Sequence, residues 1–157
     1  SSFLKMDYGE IAFQEIIKQI EGKGVTHQNR MFLEVILPKQ LIERTMKLIY
    51  QEAIIKYHCA MLSDRCFWSF NTRDKAYCVF CDNDTSFCTC PSYEKDVIQE
   101  GRYPFCKHIL ATYICNALRK KGEIKQFQIE DIDDDEFASS IAKAMALSLF
   151  GKKQAKI

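Results

Sequence analysis

Helical spacing of apolar residues dominates the first third of the chain. A first stripe recurs at i, i+3, i+4 and i+7, and its members are Phe13, Ile16, Ile17 and Ile20. Gly22 and Gly24 end this stripe, and Pro38 suits the first turn of a further helix that runs to about Ala53. Periodicity alone leaves residues 31–37 open between helix and strand. The pattern predicts a helical region over residues 1–53.

Alternation of apolar and polar residues, which is typical of half-buried strands, replaces helical spacing in the middle of the chain. Residues 54–61 form one alternating run. Residues 66–71 and 75–80 form two aromatic-rich runs on either side of a short polar turn, as in a hairpin. Residues 87–90 end a further strand at Pro91, which has no backbone N–H to donate to a ladder. A small antiparallel β-sheet is therefore predicted.

The last part of the chain returns to helical spacing on either side of an acidic run. Residues 109–120 carry an apolar stripe that consists of Ile109, Leu110, Tyr113, Ile114 and Leu118. Six of the seven residues in 130–136 are acidic, which favours a solvated loop or the first turn of a helix. Apolar positions from Phe137 to Leu149 then predict a C-terminal helix. Together the patterns predict an α+β fold.

Composition and charge narrow the class of protein only slightly. The chain carries 22 Lys and Arg against 21 Asp and Glu, so it has almost no net charge. Tight binding to nucleic acid is dominated by phosphate neutralisation, and the near balance of charge therefore argues against tight binding by this chain alone. No apolar run reaches the roughly 18–20 residues that span a bilayer, so no membrane segment is predicted. Eight cysteines without a paired framework favour reduced thiols, and hence a nuclear or cytoplasmic location.

Two short pairs of metal-ligating residues stand fifteen residues apart. The first pair has the form C-x-C, and on a strand both its thiols point to one face. The second has the form C-x-H, and within a helix its members would diverge by roughly 200°, so the pair is expected to straddle a helix start. Three thiolates and one imidazole complete the tetrahedral shell of one structural zinc ion and leave no position open. The predicted ligands are Cys88, Cys90, Cys106 and His108.

This arrangement resembles the SWIM zinc finger, whose pattern is C-x-C, a variable insert, C-x-H and an alanine three residues after the histidine. Here that alanine is Ala111, and the resemblance covers residues 77–115. Within the family, the chain is most similar to the SWIM-domain subunits of the Shu complex. Those proteins combine a helical N-terminal half with a C-K-H-[LI]-L-A-like run, which matches residues 106–111.

The resemblance implies a non-catalytic adaptor that pairs with a RecA-like recombinase paralogue. Such an assembly promotes recombinase filaments on single-stranded DNA during homologous-recombination repair in the nucleus. The zinc ion would fold the surface that the partner recognises. One compact domain would then contain an N-terminal helical region (1–53), a SWIM zinc-finger region (54–121), and an acidic loop with a C-terminal helix (122–157).

Two other function classes compete with the adaptor. Catalysis finds no support in the sequence, which lacks a Gly-rich phosphate loop, a nucleophile elbow and an H-E-x-x-H pair. The stronger alternative is a zinc-finger module that binds single-stranded or duplex DNA directly, or that contributes weak DNA contact within a complex. Its candidate contacts are basic residues with two tyrosines for stacking, namely Lys107, Arg119, Lys120, Lys121, Lys125, Tyr93 and Tyr103.

The remaining cysteines raise the possibility of a second zinc site or a redox site. Cys78 and Cys81 have C-x-x-C spacing, which suits half of a zinc site or a redox pair. Their candidate partners are Cys66, Cys59 and His58. Without a matching half the signal is weak, and a small buried side chain is the simpler interpretation of Cys78, Cys59, Cys66 and Cys115.

Overall fold

A computed structural model describes residues 7–60, 65–82, 85–122 and 127–150. Within them the chain forms five α-helices, one π-helix and five strands. The helices are α1 (Asp7–Lys23), α2 (His27–Ile36), α3 (Lys39–Gln51), the π-helix Tyr93–Gln99, α4 (Lys107–Lys121) and α5 (Asp134–Phe150). The strands are β1 (Ala53–Cys59), β2 (Arg65–Asn71), β3 (Ala76–Asp82), β4 (Thr85–Cys88) and β5 (Phe127–Ile132).

Helix boundaries agree with the sequence signals. Residues 31–37, which periodicity left open, belong almost entirely to α2, and the Thr26 side chain caps that helix by accepting a hydrogen bond from the Asn29 N–H at 3.1 Å. Gly122 ends α4 in a left-handed conformation with φ 86°, which glycine adopts without steric cost. Among the described residues, no helix combines the length and the apolar character needed to cross a bilayer.

The five strands form one sheet in the order β4-β3-β2-β1-β5. The four strands from β1 to β4 pair antiparallel, and β2 and β3 form the predicted hairpin with Asn71 opposite Ala76. The α+β class is confirmed. The sheet is mixed rather than purely antiparallel, because β5 pairs parallel with β1.

Strand β5 corrects the prediction of an acidic loop after Gly122. Residues 127–132 form an edge strand, and its acidic residues Glu130 and Asp131 are exposed to solvent. Charged side chains are common on edge strands, where they also discourage pairing with other chains. Phe127 anchors the strand, since its ring packs 5.1 Å from that of Trp68. The helix-start interpretation holds for the end of the acidic run, where α5 begins at Asp134.

Helices cover both faces of the sheet. Helices α1, α3 and α4 share a core with the face that carries Ile54, Trp68, Phe70 and Val79. On the opposite face, Phe67 and Phe80 pack with Phe137 and Ala144 of α5. Helix α4 is buried along most of its length, so its N-terminus is fixed against the sheet.

Candidate metal centre

Strand β4 presents the first pair of candidate ligands. Cys88 is its last residue and lies opposite Val79 of β3. Thr89 continues the pairing, because its N–H donates to the Cys78 carbonyl at 3.0 Å and its hydroxyl oxygen accepts from the Cys78 N–H at 3.0 Å. The chain then turns, and the Cys90 N–H donates to the sulfur of Cys88 at 3.5 Å. Both thiols are buried.

The start of α4 presents the second pair. Cys106 is the N-cap residue, with extended backbone angles, and its sulfur accepts a hydrogen bond from the Ile109 N–H at 3.4 Å. His108 lies in the first turn and is 1% exposed. The two residues therefore straddle the helix start, as the C-x-H spacing predicts.

The four side chains converge on one point. One ligand atom from each of Cys88, Cys90, Cys106 and His108 lies within 4.8 Å of the other three, and all four residues are buried. The Nδ1 atom of His108 is buried and has no hydrogen-bond partner within the described part of the chain. An unsatisfied buried polar atom costs about 1–3 kcal/mol, and a bond to a metal would remove that cost. The donor set and its burial fit a closed zinc site.

Aromatic rings hold the imidazole in place. The centroid of the His108 ring lies 5.1 Å from that of Phe70 and 5.3 Å from that of Tyr77. Phe70 belongs to β2 and Tyr77 to β3, so the hairpin itself orients the histidine. Ala111, one turn further along α4, is fully buried. This packing leaves little room to move either the ring or the helix.

The three thiols shift one another's pKa. Hydrogen bonds from Cys106 and then Cys88 hold the pKa of the Cys90 thiol well below its usual range. Burial raises the pKa of Cys88 and raises that of Cys106 to about 12. Cys90 also accepts a hydrogen bond from the Tyr93 N–H at 3.3 Å. Backbone donors of this kind orient sulfur ligands around a metal.

A buried Cys3His cluster that joins the end of a strand to the start of a helix defines a zinc-finger type of module. Residues 77–117 match the family model of the SWIM zinc finger. The matched segment begins in β3, ends in α4 and contains all four residues of the cluster. No curated protein and no solved structure matches the chain.

The basic residues proposed for DNA contact do not form one patch. Lys107 lies in the first turn of α4 and Arg119 in the last, about 18 Å apart at 1.5 Å per residue. Lys120 forms an ion pair with Glu21 of α1 at 3.0 Å. Lys125 lies outside the described residues. The geometry therefore favours a basic helix end, which complements the helix dipole, over a nucleic-acid groove.

The two candidate stacking residues are only partly accessible. Tyr93 is half-buried, and its hydroxyl donates to the Ser86 carbonyl at 3.2 Å. Burial raises the pKa of this phenol. Tyr103 is also half-buried. Tyr93 thus ties the π-helix to β4 rather than offering an open face to a base.

The C-x-x-C pair cannot bind one ion, because Cys78 and Cys81 are three residues apart on β3 and point to opposite faces of the sheet. Cys78 lies opposite Ser69, and Cys81 lies opposite Cys66. Across the described residues, no second group of three or more Cys, His, Asp or Glu side chains has its ligand atoms as close as the group at Cys88.

Sequence reasoning named Cys66 only as one of three candidate partners of the C-x-x-C pair and did not place it opposite Cys81. The signal was present in the hairpin, because a register that places Asn71 opposite Ala76 also places Cys66 opposite Cys81.

Proposed function

We propose that this chain is a zinc-binding module with a non-catalytic role in binding another protein. One structural zinc ion, held by Cys88, Cys90, Cys106 and His108, would fix the start of α4 to the hairpin. The observation that carries the proposal is the convergence of four buried ligand atoms within 4.8 Å of one another. A set of four protein ligands leaves no coordination position for substrate, which is typical of structural zinc.

An exposed apolar stripe on α2 favours a protein partner. Its members are Met31, Phe32 and Val35, which are 53%, 47% and 82% exposed. They lie within about 100° of the helix circumference and so form one continuous surface. Exposed apolar surface of this kind is typical of protein–protein contacts. The near balance of charge, by contrast, offers little to a polyanion.

The partner we propose is a RecA-like recombinase paralogue in the nucleus, within an assembly that supports recombinase filaments during homologous-recombination repair. This part of the proposal rests on the resemblance to SWIM-domain subunits of the Shu complex. Two features of the chain support it: the run from Cys106 to Ala111, and the three helices that precede the sheet.

The test is an affinity capture from cells with wild-type protein, Cys106→Ser and Cys78→Ser in parallel. Mass spectrometry identifies the bound proteins, and a chromogenic chelator measures the zinc content of each bait. We expect wild type and Cys78→Ser to retain zinc and to capture a RecA-like protein, and Cys106→Ser to lose both. Capture that survives complete loss of zinc would contradict the proposed role of the metal.

Direct binding to DNA remains the second candidate because three consecutive basic residues, Arg119, Lys120 and Lys121, end α4. Fluorescence anisotropy of labelled single-stranded and duplex DNA at increasing salt tests it. A dissociation constant that rises steeply with salt would favour this function, since counterion release dominates such binding. Weak binding that depends little on salt would argue against it.

A further inference from the structure

Two cysteines outside the metal centre face each other across the hairpin. Cys66 of β2 lies directly opposite Cys81 of β3, so both side chains point to the face of the sheet that α4 covers. The two thiols are close enough to shift each other's pKa in opposite directions. Both residues are half-buried at the margin of the core and carry free thiols. Neither residue is fully enclosed by the core.

Neighbouring groups make the two sulfurs unequal. Hydrogen bonding with Cys81, helped by the charge of Lys56 and opposed by burial, lowers the pKa of Cys66 to about 7. The hydrogen bond to Cys66, together with burial, raises the pKa of Cys81. The hydroxyl of Ser86 donates to Cys81 at 3.7 Å. Cys66 is thus suited to attack a disulfide first, as a thiolate. The neighbouring Cys81 thiol, which stays protonated during this step, can then attack the mixed disulfide on Cys66.

The other cysteines lack these features. Burial raises the pKa of Cys78 to about 11 and that of Cys115 to about 12. The thiol of Cys59 donates to the carboxylate of Asp134 at 2.9 Å. Cys88, Cys90 and Cys106 belong to the buried candidate metal centre. Low pKa combined with access identifies a reactive thiol, and among the eight cysteines this combination occurs at Cys66.

We propose that Cys66 and Cys81 form a dithiol site that reacts with small disulfides, such as glutathione disulfide, and closes into a cross-strand disulfide. The Cys66 thiolate attacks one sulfur of the small disulfide, and the S–S bond of that molecule breaks to release one thiolate. Cys81 then loses its proton and attacks the sulfur of Cys66, which releases the second thiolate. The two protein thiols are oxidised, and one small disulfide is reduced to two thiols.

The strand register brings the two residues within reach of a disulfide bond. Directly opposed residues of antiparallel strands have Cα atoms about 4.5–5.5 Å apart, which lies within the range of about 4.4–6.8 Å found for disulfides. None of the four candidate zinc ligands lies on β2 or β3. The site therefore works independently of the function proposed above, and zinc content is expected not to change on oxidation.

The test uses the zinc-loaded full chain, incubated with glutathione disulfide near pH 7 and quenched with acid. Intact mass and peptide mapping follow the products in wild type, Cys66→Ser, Cys81→Ser and the control Cys78→Ser, which alters the same strand on its other face. We expect wild type and Cys78→Ser to form the Cys66–Cys81 bond. We expect Cys81→Ser to stop with glutathione on Cys66, and Cys66→Ser to remain unmodified.

Alkylation of the unreacted wild-type protein adds a measurement that needs no variant. Iodoacetamide should modify Cys66 at least about 10-fold faster than Cys78 or Cys115, because only the thiolate reacts. Equal rates at the three thiols would overturn the proposal. Release of zinc before any Cys66–Cys81 bond forms, or glutathione spread over several cysteines in Cys81→Ser, would overturn it as well.

Discussion

At the scale of single residues, His108 connects the sheet, helix α4 and the candidate metal centre. Its ring contacts Phe70 of β2 and Tyr77 of β3, while its backbone belongs to the first turn of α4. Its buried Nδ1 atom lacks a hydrogen-bond partner among the described residues. Removal of the imidazole would therefore take away a metal ligand and part of the contact between helix and hairpin.

The variant His108→Ala should lose zinc and fall in stability by more than about 3 kcal/mol, because in small zinc modules metal-binding energy is folding energy. His108→Cys should keep zinc, because four thiolates also form a tetrahedral shell. Zinc content after gel filtration and urea unfolding measure both effects. Stoichiometric zinc in His108→Ala would exclude the histidine as a ligand.

Ala111 tests the packing beneath the metal centre. The residue is fully buried in α4, so Ala111→Leu should destabilise the protein by about 1–3 kcal/mol through overpacking. Ala142→Leu makes the same change at an exposed position of α5 and should alter stability by less than about 0.5 kcal/mol. Denaturant midpoints of the two variants compare them directly. Equal midpoints would mean that the core around Ala111 accommodates a larger side chain.

At the scale of elements, the two faces of the sheet have separate cores. Phe137 of α5 packs 5.9 Å from Phe67, ring to ring, on the face opposite the metal centre. Phe137→Ala should cost about 3 kcal/mol of stability while zinc content stays unchanged. Met145→Ala, at an exposed position of the same helix, is the matched control. Loss of zinc in Phe137→Ala would show that the two faces fold as one dependent unit.

The helices and strands also differ in how well local sequence patterns predict them. Local signals were sufficient for α4, because the apolar stripe, the C-x-H pair and Gly122 all mark the same helix. They failed for β5, whose acidic residues resemble a loop and whose partner β1 lies some seventy residues earlier in the chain. Parallel pairing with an edge strand depends on tertiary contacts, such as that of Phe127 with Trp68, which no local pattern contains.

The functional residues also fall into those that local sequence patterns predict and those that depend on tertiary structure. Spacing predicted that Cys88, Cys90, Cys106 and His108 come together, because short ligand pairs constrain geometry within a few residues, and the structure brings these four side chains to one point. The basic cluster was harder to place, because Lys107 and Arg119 lie at opposite ends of α4, and its contact with DNA stays a prediction. The pairing of Cys66 with Cys81 required the hairpin register, which composition does not reveal.

At the scale of the whole molecule, the proposed adaptor role has two parts. One surface contacts the partner, and the zinc ion stabilises the fold that presents this surface. The α2 stripe of Met31, Phe32 and Val35 is the surface where these two contributions can be tested apart, because α2 contributes no candidate ligand. Val35→Glu places a charge at an 82% exposed apolar position. Since the side chain already faces water, the change should leave folding and zinc content intact.

We expect Val35→Glu to reduce capture of the proposed RecA-like partner at least about 10-fold, because burial of an unpaired carboxylate in an apolar interface costs more than 1.4 kcal/mol. Gln99→Glu introduces the same charge at an exposed polar position of the π-helix, outside the α2 stripe, and should capture the partner as wild type does. If Val35→Glu binds normally while Cys106→Ser does not, the partner contacts a different surface of the zinc-stabilised fold. If both bind normally, neither the α2 stripe nor the metal supports the interaction, and the adaptor role loses its structural basis.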